Sequence, residues 1–136
     1  MPARGLFLAL VLFVAACSAV PPATPPSGAE RPNFTQVGVA SWYGRGHQGL
    51  KTAGGERFDM RKLTAAHRTL PLDTVVRVTN IDNQRTVKVR INDRGPYARN
   101  RIIDLSSRAA SVLGIGEDGT ARVRLEVFAS DQRGES

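Results

Sequence analysis

The chain has 136 residues, 41% of them apolar, and 19 Lys and Arg stand against 12 Asp and Glu for a formal net charge of +7. That length fits one small domain rather than two, and a single cysteine, Cys17, excludes a disulfide within the chain. The basic excess suits an anionic partner: nucleic acid, an acidic membrane face or an acidic polymer.

The first residues read as an export signal. Arg4 gives a positive start, residues 6–14 are almost unbroken apolar side chains, and Val14-Ala15-Ala16 lead into Cys17. The run is too short for a comfortable membrane span. Small residues followed at once by cysteine resemble a bacterial lipobox, so residues 1–16 are expected to be removed and Cys17 lipidated. Ser18 rather than Asp after that cysteine resembles lipoproteins sent to an outer membrane. Residues 17–33 hold five of the eight prolines, which makes them an extended tether. At about 3.1 Å per residue it reaches up to roughly 50 Å from its anchor. An exported chain meets cell wall and not nucleic acid, so the expected polyanion is the wall.

The domain is expected over residues 34–129, with a frayed tail over 130–136. Residues 34–43 read as a first strand with Val37, Val39 and Ser41 on one face. Five glycines follow within residues 44–55, too many for a helix or a strand interior. This loop returns Thr52, Glu56 and Phe58 to the body. Residues 62–66 are short and extended, and Leu70-Pro71-Leu72-Asp73 is a turn. Val76 and Val78, then Val87, Val89 and Ile91, alternate with polar residues around a turn at residues 80–84, the pattern of a β-hairpin. Residues 102–105 read as a buried strand. A short helix over 106–113 carries Leu105, Ala109 and Val112 on one side and stops at Gly114. Asp104 is placed to cap it. A last strand turns Val123, Leu125 and Val127 inward. Short strands with little helix point to a closed β-barrel, which also hides strand edges.

The hairpin's second strand runs into Asn92-Asp93-Arg94-Gly95-Pro96, where Gly and Pro force a break. A carboxylate at a strand end beside a rigid turn suits acid–base chemistry. Trp42, Tyr43 and Tyr97 carry rings that can cover apolar surface while a polar tip finds a partner. No glycine motif between strand and helix cradles phosphate, and His47 and His67 lie outside metal-ligand spacing, so neither metal nor cofactor is expected.

Five ordered motifs then carry a resemblance. Gly38-Val39-Ala40-Ser41-Trp42-Tyr43-Gly44, Thr52-Ala53-Gly54-Gly55-Glu56, Leu63 to Pro71, Asn92 to Pro96 and Arg101 to Ser106 resemble the RlpA (rare lipoprotein A) family. The resemblance implies a mainly β fold, a six-stranded double-psi β-barrel with one or two short helices. It implies a lytic transglycosylase that cuts peptidoglycan glycan strands, preferring those stripped of stem peptides. Asp93 matches the family's catalytic aspartate, and Glu56 and His67 match the Glu and His that accompany it. Thr52, Arg94 and Tyr97 join Trp42 and Tyr43 as expected substrate contacts. Arg94 is expected to point away from the cleft or to bind a glycan substituent. His67 is expected to hydrogen-bond a carboxylate. The pattern departs at His47-Gln48-Gly49, where many relatives have Phe-His-Gly, and no glycan-binding SPOR domain follows. The expected protein is a monomer, lipid-anchored through Cys17 and facing the periplasm, with peptidoglycan as partner. The alternative is a non-catalytic wall-binding module.

Overall fold

The computed structural model describes residues 28–116 and 119–133, with Gly5 alone before them. The expected signal peptide (apart from Gly5), Cys17 and most of the tether fall outside the described residues. Six strands, β1 (Phe34–Trp42), β2 (Thr64–Ala66), β3 (Val75–Asn80), β4 (Thr86–Asp93), β5 (Ile103–Leu105) and β6 (Thr120–Val127), make the body. A 3-10 turn (Arg45–His47) and two short helices, α1 (Ser107–Val112) and α2 (Ala129–Gln132), complete the described elements. The strands close into a barrel in the order β1-β5-β2-β4-β3-β6. β1 with β5 and β2 with β4 run parallel, and the remaining neighbours run antiparallel.

The hairpin forms as the alternation requires. Val76, Val78, Val89 and Ile91 are fully or almost fully buried, while Arg77, Lys88 and Arg90 face outward. The turn closes because Gln84 takes a left-handed conformation, φ 63°, and Asn80 Oδ1 accepts the Asp82 N–H at 3.1 Å. Val123 and Leu125 of β6 complete the core from the other side.

The structure shows which way the faces of β1 point, and it corrects the readings of the α1 face, its cap and the tail. In β1 the face bearing Val37, Val39 and Ser41 is the outer one, and Val37 is 47% exposed. The inner face is Phe34, Gly38, Ala40 and Trp42, and a Cβ on Gly38 would sit 2.8 Å from Ile102 Cγ2. Close barrel packing selects small residues there, so hydrophobicity marks the wrong side. Helix α1 buries Ala109 and Ala110, with Leu113 behind them, and leaves Val112 37% exposed. Its cap is Ser106, whose Oγ accepts the Ala109 N–H at 3.2 Å, and not Asp104. The expected frayed tail begins instead as α2. There Asp131 accepts from Arg77 Nε at 2.7 Å and from Lys88 Nζ at 2.9 Å. Residues 134–136 lie outside the described residues.

Candidate active site

Strand register assembles the site. Ala66 of β2 pairs with Asp93 on one side and with Asp104 on the other, and Asp104 pairs with Ser41 of β1. Paired residues present their side chains to the same face of a sheet. Asp93, Ala66, Asp104 and Ser41 therefore form one row across four strands. The two carboxylates stand two strand spacings, about 10 Å, apart at the backbone. Simple alternation along β4 would turn Asp93 inward after the buried Ile91. A register shift between Ala65 and Ala66 skips Asn92 and re-aims Asp93 into the row. On β5, the neighbours Ile103 and Leu105 are fully buried, which turns the row away from the core; Ser41 and Ala66 are themselves buried, and Asp93 and Asp104 are half-buried.

Asp93 is held by backbone. Its Oδ1 accepts the Ala53 N–H at 2.9 Å and the Arg94 N–H at 2.8 Å. Oδ2 has no hydrogen bond to any of the described residues. The glycine loop reaches it because the Gly54 N–H donates to Asn92 O at 3.1 Å, an approach so close that a Cβ on Gly54 would lie 2.9 Å from that oxygen. The same loop carries Glu56, but its carboxylate is already engaged. Arg90 Nη2 donates to both Glu56 oxygens, at 2.7 and 3.0 Å, and Asn92 Nδ2 donates to Oε1 at 2.6 Å. These bonds, Arg90 first, hold Glu56 below the ordinary carboxylate range. Thr52 closes the loop, donating from Oγ1 to Glu56 O at 2.8 Å, and its buried hydroxyl is not offered to a substrate.

His67 departs from expectation. Its Nδ1 accepts the N–H groups of Thr69 and Leu70 at 3.2 and 3.1 Å, which assigns the proton to Nε2. Nε2 then donates to Gln36 Oε1 at 3.0 Å. No carboxylate is bound to the ring. Burial first, then Arg94 and Arg68, pushes His67 down and keeps it neutral. Its link to the row is through the backbone, where the His67 N–H donates to Asp93 O at 3.2 Å. Arg94 points away from the row, its Nη1 donating to Leu70 O at 2.6 Å and His67 O at 3.2 Å.

The aromatic candidates separate. Trp42, partly buried, packs against the core from the inner face of β1 and lines a cavity of about 370 Å³ beside α1, off the row. Tyr43 lies against His47 and Phe58, at centroid distances of 5.1 and 4.8 Å. Its hydroxyl is buried and unpartnered among the described residues. Burial first, then the charges of Asp93 and Asp104, raises its pKa well above the ordinary phenol value. Tyr97 is 86% exposed on the loop between the two carboxylates. Sequence reasoning missed Asp104, which accepts a short hydrogen bond from Ser41 Oγ and lies 3.7 Å from Arg101 Nη1. Parallel register with β1 places it there, and nothing in a one-dimensional pattern distinguishes that from a helix cap. Among the described residues no three His, Cys, Asp or Glu side chains group to hold a metal.

A family model described as lytic transglycolase matches residues 35–125. The chain is 56% identical over 99 residues to the endolytic peptidoglycan transglycosylase RlpA of Neisseria meningitidis, covering 73% of this chain and 41% of that protein. It is 55% identical over 102 residues to the RlpA of Campylobacter jejuni, covering 74% of this chain and 37% of that one. The chain thus spans about two-fifths of these curated relatives. A mutant expansin from Clavibacter michiganensis, solved in complex with cellohexaose, superposes with a TM-score of 0.58 at 20% identity, over 76% of this chain and 54% of that one. Its likeness is one of fold. With the barrel, the ordered motifs and these relatives in agreement, the chain belongs to the RlpA family of double-psi β-barrels.

Proposed function

We propose that this protein is a lytic transglycosylase acting on peptidoglycan glycan strands, with Asp93 as its acid and base. The observation that carries the reading is the fixed carboxyl of Asp93, with one oxygen tied to two backbone amides and the other left for a substrate. The reaction needs a single such group. The Asp93 carboxyl gives its proton to the glycosidic oxygen of the bond from N-acetylmuramic acid to N-acetylglucosamine, and the C1–O bond breaks. The muramic 6-hydroxyl attacks C1 and returns its proton to the Asp93 carboxylate. An anhydromuramic end forms, no water is consumed, and the enzyme is restored. A second carboxylate at a fixed separation, which hydrolytic glycosidases use to activate water or form an intermediate, is not required.

The remaining side chains hold this group in place. Glu56, bound by Arg90 and Asn92, secures the loop whose Ala53 amide orients Asp93. His67 fixes the 67–70 turn, and Tyr97 offers an exposed ring to a sugar face. We place the protein as a monomer in the cell envelope, facing the periplasm and anchored by lipid on Cys17 to the outer membrane. The lipobox-like residues 14–17 and the proline-rich tether support that placement.

A second reading, a non-catalytic wall-binding module, is favoured by one feature: Glu56 and His67 both spend their bonding capacity inside the protein. Incubating the full chain with peptide-bearing and amidase-stripped glycan strands separates the two. Anhydromuramic products from the stripped strands support the enzyme. Intact strands that nonetheless bind the protein support the module.

A further inference from the structure

The two loops that flank the row are tied to each other by arginines running in opposite directions. Arg68, on the loop after β2, donates from Nε to Pro96 O at 2.6 Å and from Nη2 to Ala98 O at 2.5 Å and Arg101 O at 2.6 Å. Arg94, on the loop after β4, donates back to His67 O and Leu70 O. Each guanidinium thus satisfies carbonyls on the other's loop, and no carboxylate competes for either one among the described residues. The loop Arg68 holds is the whole connection from Asp93 to Asp104, and it carries Tyr97 at its exposed tip. Irregular backbone of this kind has few ladder bonds of its own, so its shape depends on such cross-links.

We propose that Arg68 and Arg94 form a reciprocal clasp that positions Asp93 and Tyr97 as one rigid wall of the glycan cleft. Both are positioning residues, since neither guanidinium touches the row. The inference rests on the reading of the row as a glycan site. A planar guanidinium is needed at Arg68 because three carbonyls converge on it from different residues, and a lysine ammonium is a point charge that cannot match that fan.

The test is a double-mutant cycle in the full chain: Arg68→Gln, Arg94→Gln and the pair, with Arg68→Lys alongside. Three readouts are taken: hydrogen exchange of the amides in residues 97–102, binding of amidase-stripped glycan strands, and kcat and KM. The clasp predicts at least tenfold faster exchange in that loop for either single variant and little further change in the pair. It predicts weaker glycan binding, with kcat lower by about ten- to a hundredfold for a misplaced acid. Arg68→Lys should behave like Arg68→Gln. Additive effects of the two substitutions overturn the clasp. So does a loss confined to Tm, with exchange in 97–102 and glycan binding unchanged in the folded protein. If the native protein binds strands without cutting them, the enzyme reading fails, and the exchange and binding arms still decide the clasp.

Discussion

At the scale of single residues, the environment decides what each candidate can do, and residue type alone does not. His67 shows this most clearly. Its ring sits in the protein with both nitrogens engaged and its pKa held below 6.5 by burial. The folded state therefore resists a proton that the unfolded chain accepts, so the stability this group confers is present above about pH 6.5 and declines as pH falls below it. Thermal unfolding followed from about pH 7.5 to pH 5.5 should show a falling Tm, with a smaller fall in His67→Gln. An equal slope in the variant would assign the acid sensitivity elsewhere. That His67 matters was legible from its motif, and how it matters was not. The amides of Thr69 and Leu70 reach it from the same turn, but Gln36, 31 residues away in sequence, is brought to it only by barrel closure. Glu56 repeats the lesson, because Arg90 and Asn92 reach it from a strand 34 and 36 residues away in sequence.

At the scale of elements, segments with strong period-two alternation were readable and segments shaped by close approach were not. The β3–β4 hairpin and β6 follow their patterns, because burying one face against the core is what fixes them. In β1 the inner face is small and Val37 faces outward, so the sequence does not tell which face is which, and the bulge at Ala65/Ala66 leaves no mark that a pattern of apolar residues reveals. The glycine loop of residues 52–56 is where an element meets the chemistry. Gly54→Ala should push that loop off Asn92 O, loosen the Ala53 bond to Asp93, and cut kcat about tenfold or more while the barrel stays folded. Full activity in a variant whose crystal structure shows the loop displaced from Asn92 O would remove the loop from the account. At the far end of the chain, α2 is secured by Asp131, whose pKa is held down to about 2 by Arg77 and Lys88. Asp131→Asn should cost about 1–3 kcal/mol, since charge-assisted bonds to a nearly buried carboxylate are lost. Chemical denaturation measures it, and a change under about 0.5 kcal/mol would show that α2 is a passive appendage.

At the scale of the whole molecule, a closed barrel provides a rigid frame without disulfides or edges, and the site is a row of residues that the frame's register brings together. The order of the motifs in the sequence announced the family. The juxtaposition of Asp93 with Asp104 across Ala66 came only from the crossing of parallel and antiparallel strands. The excess of basic residues is a whole-molecule property as well. It predicts that binding to intact peptidoglycan, read by sedimentation, weakens as salt rises above about 0.15 M. Salt-independent binding would locate the affinity in the cleft alone. The central claim is that the bond is broken by internal attack of a substrate hydroxyl, with Asp93 passing the proton. Digesting stripped glycan strands in heavy-oxygen water, with the native chain and with Asp93→Asn, tests it most directly by mass spectrometry of the new ends. The account predicts unlabelled anhydromuramic ends from the native chain and a loss of about a hundredfold or more in the variant. Heavy oxygen at new reducing ends, or unchanged turnover by Asp93→Asn, would contradict it.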